Sequence, residues 1–195
     1  MPLLRGFWLL LLLLALPLQA ATVLVFGDSI SAGFGLKPGQ GWVALLTKQL
    51  APQHRVVNAS LSGETTAGGL TRLPQTLAQH RPDWVILELG GNDGLRGLPL
   101  PAMRANLQQM ITLCQRSHAR VLLVAVSLPP NYGVPYGQAF HAVYDDLAKR
   151  QHLAYVPQLM AGFGGNLQQF QPDGIHPAAT AQTKMLHTIK AQLPL

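Results

Sequence analysis

The sequence predicts a three-layer α/β domain, a mostly parallel sheet with helices on both faces. Two observations carry that expectation. Short apolar runs alternate along the chain with segments of helical periodicity, and such alternation closes by crossover connections into a parallel sheet. The longer runs, Trp84-Val-Ile-Leu-Glu-Leu89 and Val121-Leu-Leu-Val-Ala-Val126, are nearly continuous in apolar character, as strands covered on both faces are. The 195 residues suit one domain with a substantial core, and no repeat, low-complexity tract or interdomain linker interrupts them.

The chain starts with a segment of a different kind. Arg5 is followed by an unbroken apolar run from Phe7 to Leu16 and then by Pro17-Leu-Gln-Ala-Ala21. That is the layout of a secretory signal peptide over residues 1-21, cleaved after Ala20 or Ala21, with the functional domain at 22-195 and a periplasmic or secreted location. An uncleaved membrane anchor is the alternative, although the run is shorter than the roughly 20 residues a spanning helix needs. Val23-Leu-Val-Phe26 then reads as the first strand, ending at Gly27, which is expected to let the backbone bend as Asp28-Ser29 open a helix. Trp42, Leu45, Leu46 and Leu50 mark the next helix, and Val56-Val-Asn-Ala59 a short second strand. Leu70, Leu73 and Leu77 share a helix face, after which comes the strand at Trp84. Met103, Leu107, Met110, Ile111 and Cys114 form another such face, followed by the strand at Val121. Phe140, Val143, Tyr144 and Leu147 make a fourth helix, Leu153-Ala-Tyr-Val156 a weaker fifth strand, and a last helix carrying Met185, Leu186 and Ile189 is expected to open at Pro177. Cys114, the single cysteine, falls on an apolar helix face and reads as a buried structural thiol with no internal disulfide partner.

Composition excludes several functions. The formal net charge is +6, but the basic residues are scattered without runs or aromatic interleaving, which argues against nucleic acid as a partner. The histidines outside one loop (His54, His80, His118, His141, His152 and His187) lie in helical or helix-end contexts, and no His-Glu-x-x-His or paired-cysteine spacing occurs. No metal site and no cofactor are therefore expected.

Four segments just beyond strand ends each offer one part of an acyl-transfer site. Gly27-Asp28-Ser29 supplies a serine at the carboxyl end of a strand, where open α/β sheets bind their ligands. Ser62-Gly63-Glu64 is a turn opening a helix whose free N–H groups favour negative charge. In Gly90-Gly-Asn92-Asp93-Gly94 the glycines allow close backbone approach, and Asn92 can point an amide donor into the cleft. Asp173-Gly-Ile-His176-Pro177 carries an acid and an imidazole on one tight loop, spaced so that the carboxylate reaches one ring nitrogen and leaves the other for a serine. Any one of these is an ordinary turn or cap taken alone. Their occurrence in order, each after a strand, is what points to chemistry. Beside them, Asp28 reads as a hydrogen-bonding turn residue, Glu88 as a paired structural acid and Asp93 as a fastener of its own loop.

These blocks resemble the signature blocks of the SGNH (GDSL-type) hydrolases, with Ile30 where the family name has leucine. Glu88-Leu-Gly-Gly-Asn-Asp-Gly-Leu-Arg-Gly97 and Leu128-Pro-Pro-Asn-Tyr-Gly133 are similar to the bacterial thioesterase, lysophospholipase and arylesterase group within it. The resemblance implies a flavodoxin-like α/β/α sandwich with a five-stranded parallel sheet. It also implies Ser29 as nucleophile, His176 as general base and then acid, Asp173 as orienter, and an oxyanion hole of the Ser29 and Gly63 N–H groups with the Asn92 side chain. The Gly-x-Ser-x-Gly elbow of α/β-hydrolases is absent, since position 31 is Ser31.

Substrate choice is expected in two apolar walls, with Leu95, Leu98, Pro130, Asn131 and Tyr132 as the binding residues. A long loop from Pro157 to Pro172 is also flagged, because connections of that length are often functional. The expected substrates are small acyl or aryl esters and lysophospholipids, with transient membrane-surface contact and a monomeric state. Two alternatives stand beside this expectation: a carbohydrate acetylesterase on the same fold, and a non-catalytic lipid-binding protein.

Overall fold

The computed structural model describes residues 20–195. All of the anticipated leader except Ala20 and Ala21 lies outside these residues. Among the described residues, no helix is long and apolar enough to cross a membrane.

Five strands form one parallel sheet: β1 (Thr22–Gly27), β2 (Arg55–Asn58), β3 (Trp84–Glu88), β4 (Arg120–Val124) and β5 (Ala154–Val156), in the order β2-β1-β3-β4-β5. This is the sheet expected from the alternating pattern. The helices are α1 (Ser29–Ala32), α2 (Trp42–Leu50), α3 (Thr66–His80), α4 (Gly91–Leu95), α5 (Leu100–Arg116), α6 (Val134–Gln151) and α7 (Gln182–Lys190). They pack in two sets, α2 with α7 and α3 with α5 and α6, which cover the two sides of the sheet. The central strands β1 and β3 are buried on both faces through Val23–Phe26 and Trp84–Leu87, the cause of their continuous apolar sequence. Cys114 is buried in α5 among these residues.

The last helix departs from expectation. Pro177 lies outside it, bridged to Phe170, and α7 begins at Gln182 after a short 3-10 turn. The Pro177 carbonyl accepts hydrogen bonds from the Gln171 and Gln182 side chains, which hold this residue in an extended connection instead of a first turn.

The strand order places the site. Connections from β1 and β3 leave toward opposite edges of the sheet, so a crevice opens beyond their adjoining carboxyl ends, and there ligands bind in folds of this type. Asp28-Ser29 follow β1 and Gly90–Gly94 follow β3.

Candidate active site

Ser29 opens α1, a helix of four residues. Its first turn is capped by Asp28, whose Oδ1 accepts from the Ile30 N–H at 3.0 Å, and Gly33 ends it in the left-handed conformation at φ 77°. As the first helical residue, Ser29 has a backbone N–H with no acceptor inside the helix. The role foreseen for Gly27 needs correcting. Its backbone stays out of the left-handed region. A Cβ there would instead fall 2.7 Å from Glu88 Oε2 and 2.8 Å from Ser31 Oγ. Glycine is needed at this position for space, not for a bend.

The chain brings the histidine loop to this serine from 147 positions away, setting His176 Nε2 2.9 Å from Ser29 Oγ. His176 Nδ1 lies 2.7 Å from Asp173 Oδ2. The other Asp173 oxygen, Oδ1, accepts from the Ile175 and His176 N–H groups at 2.9 and 3.0 Å, so one carboxylate shapes the loop and aims the ring. Burial works to raise the Asp173 pKa, but these backbone bonds and the imidazole outweigh it and hold the carboxyl below its ordinary 3.8. An ionised Asp173 accepts the Nδ1 proton and leaves Nε2 free to accept from the serine hydroxyl. The loop is pinned by Gln171, whose N–H donates to the His176 carbonyl at 2.8 Å and whose Nε2 donates to the Phe34 carbonyl at 2.7 Å. The Phe34 ring packs against the imidazole at 4.6 Å between centroids.

Gly63, at φ 79°, and Asn92 line the same cavity as Ser29 and His176. Two guanidinium groups hold the Gly63 turn: Arg72 donates to Glu64 Oε2 and to the Ala59 carbonyl, and Arg96 donates to the Gly63 carbonyl at 3.0 Å. Asn92, in the first turn of α4, donates through Nδ2 to Asp28 Oδ2 at 3.1 Å and to the Glu64 carbonyl at 3.0 Å. Its amide is therefore fixed in the wall with both hydrogens engaged, and an incoming oxyanion takes a share of one of them. Replacing Asn92 by Ala should lower kcat by about 10²–10³, or ~2.7–4 kcal/mol of transition-state stabilisation. Steady-state rates on one soluble ester would measure this, and a loss under threefold would rule Asn92 out as a donor to the reacting group. Asp93 fastens its loop as anticipated, accepting from the Thr66 N–H at 2.8 Å and the Thr66 hydroxyl at 2.6 Å.

Asp28 thus joins the serine turn to the asparagine. Its carboxyl is 2 % exposed. Burial pushes its pKa from 3.8 up to about 6, although the Ile30 N–H, His176 and Asn92 pull the other way. An acid raised by folding binds its proton more tightly in the folded than in the unfolded chain. Its contribution to stability is therefore greatest below the unfolded value of 3.8 and falls as the pH rises to about 6. The Asp28→Asn variant lacks this titration and should gain in Tm relative to the unsubstituted protein over that window, with no further gain above it. A constant Tm difference from about pH 4 to pH 7 would contradict the assignment.

The cavity beside Ser29 encloses about 590 Å³. Leu95 and Pro130 line it as expected, whereas Leu98, Asn131 and Tyr132 do not. Leu98 points to solvent, and the Tyr132 hydroxyl is spent on the Leu95 carbonyl at 2.8 Å, tying one wall to the other. Much of the apolar lining was not foreseen as such: Phe34, Val126, Met160, Leu167, Phe170 and Ile175. Met160, Leu167 and Phe170 belong to the long Pro157–Pro172 loop, so loop length was the usable signal. No group of three or more potential metal ligands occurs among the described residues.

Residues 25–184 match the model of the GDSL-like lipase/acylhydrolase family. The chain is 50 % identical to an esterase, TesA, of Pseudomonas aeruginosa over 182 residues, covering 92 % of this chain and 90 % of that one. It is 42 % identical over 187 residues to the thioesterase 1/protease 1/lysophospholipase L1 of Escherichia coli, with 95 % and 90 % covered. Among solved structures, the psychrotrophic esterase EstA from Pseudoalteromonas sp. superimposes with a TM-score of 0.82 at 34 % identity, over 88 % of this chain and 96 % of that one.

Proposed function

The chain belongs to the GDSL-like lipase/acylhydrolase family and is a serine esterase, and from that premise we propose that it cleaves fatty acyl and aryl esters, lysophospholipids among them, by a two-step acyl transfer. In the first step His176 takes the Ser29 proton as Oγ attacks the ester carbonyl. The Ser29 and Gly63 N–H groups and Asn92 receive the developing oxyanion, and Asp173 steadies the imidazolium. His176 then returns the proton to the leaving alcohol, and in the second step it activates a water that releases the acid. Thioesters follow the same course with a thiol leaving.

The observation that carries this proposal is one hydrogen-bonded chain, Asp173–His176–Ser29, opening onto an apolar cavity of about 590 Å³. That volume accepts an acyl chain or aryl ring far larger than acetyl, which favours the lipid and aryl substrates over carbohydrate acetyl groups. A lipid carrier without catalysis would have no use for the aligned hydroxyl and imidazole.

Initial rates on p-nitrophenyl esters with acyl chains of two to twelve carbons test the substrate class, with a lysophospholipid and an acyl thioester run alongside. Rates should peak at medium or long chains, and covalent labelling by a fluorophosphonate should abolish all three activities together. A sharp optimum at two carbons would overturn the lipid assignment in favour of an acetylesterase. We place the protein as a monomer in the periplasm or outside the cell, on the signal-peptide layout of residues 1-21, with transient contact at membrane surfaces where lysophospholipids reside.

A further inference from the structure

Glu88 ends β3 fully buried, and the mechanism makes no use of it. The sheet register sets it opposite Gly27, so its carboxyl lies beneath the turn that carries Ser29. Oε2 accepts from the Ser31 hydroxyl at 2.6 Å, while Oε1 has no partner among the described residues. Ser31 is the inward-facing residue of α1, 2 % exposed, and its carbonyl is held from the β2 side by Asn58 Nδ2 at 2.9 Å. The remainder of β3, Trp84–Leu87, is apolar, as a doubly covered strand should be. An acid with an orphan oxygen is costly in such a place, and it crowds position 27 as well, where a Cβ would meet Oε2 at 2.7 Å, Ser31 Oγ at 2.8 Å and the Glu88 backbone carbonyl at 2.9 Å. The buried carboxyl thus sits in the tight space between β3 and the serine turn and makes its one hydrogen bond to α1.

We propose that Glu88 is a positioning residue for the esterase reaction, acting through Ser31 to fix the single turn of α1 and thereby the line from Ser29 Oγ to His176 Nε2. The proposal rests on Ser29 being the nucleophile. A helix of four residues cannot hold its own geometry by propagation, so its orientation depends on anchors of this kind. Burial, and then the neighbouring Asp28 charge, keep the Glu88 carboxyl well above the usual glutamate range. Toward Ser31 the carboxyl acts through Oε2 as a hydrogen-bond acceptor, a part that an amide oxygen can also play.

The test compares Glu88→Gln, Glu88→Leu, Ser31→Ala and the Glu88→Leu/Ser31→Ala double variant by kcat, KM and the rate of fluorophosphonate labelling. Gln retains an acceptor for Ser31 and should stay within about threefold of the parent kcat. Leu and the Ser31 variant should each lose roughly 10- to 100-fold in kcat and in labelling, with KM within about twofold, because misplacing a reacting atom slows chemistry more than it weakens binding. The double variant should be no slower than the slower single one, as expected for two ends of one interaction. A folded Leu variant with full kcat, a Gln variant as slow as Leu, or a loss confined to KM would each overturn the proposal. If the Leu variant does not fold, Ser31→Ala decides alone, and full kcat there overturns it equally. An active Ser29→Ala protein would instead overturn the nucleophile assignment itself, whereas an inactive one beside fully active Glu88 and Ser31 variants overturns only the positioning role.

Discussion

Ester hydrolysis by the Ser29→Ala variant should fall by on the order of 10⁶ in kcat, to the residue left by binding and the oxyanion donors alone. The reason is local. The Ser29 hydroxyl lies 2.9 Å from His176 Nε2, so its removal leaves the base with no proton to take. Little else changes. Alanine is a better helix former than serine, and the side chain faces a cavity that stays open. The variant should therefore keep its Tm and still bind a non-hydrolysable acyl ligand, while fluorophosphonate labelling disappears. Hydrolysis retained within tenfold would end the assignment of Ser29.

The second large effect is expected from a change of one atom. In Asp173→Asn, the group facing His176 Nδ1 must be either an amide oxygen or an amide nitrogen. The Ile175 and His176 N–H groups both donate to the Oδ1 position, which claims the amide oxygen. The nitrogen is then left to face Nδ1 and donate to it, and the ring proton moves to Nε2, where it blocks acceptance from Ser29. A fall of about 10⁴-fold in kcat follows, with KM little altered and the fold intact. Asp173→Ala should lose less than Asp173→Asn at alkaline pH, since an untethered imidazole samples both tautomers. Equal kcat for the aspartate and asparagine forms would show that the orienting acid lies elsewhere.

Much of this site was legible in the sequence because its parts are local. Asp173 and His176 share one loop, Asp28 caps the helix that begins beside it, and each glycine-bearing turn follows a strand recognisable from its apolar run. The sheet was legible for the same reason, since β1, β3 and β4 are buried on both faces and show it in composition. What could not be read depends on packing between distant segments. Gly27 looked like a bend because its main constraint, the carboxyl and backbone carbonyl of Glu88, comes from a strand 61 residues further along. Pro177 looked like a helix start, but the bridge to Phe170 and the side chains of Gln171 and Gln182 keep it extended. The cavity walls were half read. Leu95 and Pro130 lie beside recognisable motifs, whereas Met160, Leu167 and Phe170 come from a loop with no periodicity to betray which side chains turn inward.

The distance along the chain between Ser29 and His176 has a consequence for how activity arises. The serine belongs to the first strand-helix junction and the imidazole to the last loop before α7, which packs back on α2. A chain leaving the ribosome thus displays its hydroxyl early and receives its base nearly last. A species in which the His176 loop has not docked has no base at Ser29, so enzymatic turnover reports the joining of the two ends of the chain. In a refolding experiment, activity should return with the slowest phase that joins the two ends of the chain, after helical signal has recovered. The hydroxyl is inert as a nucleophile until the two ends of the chain meet.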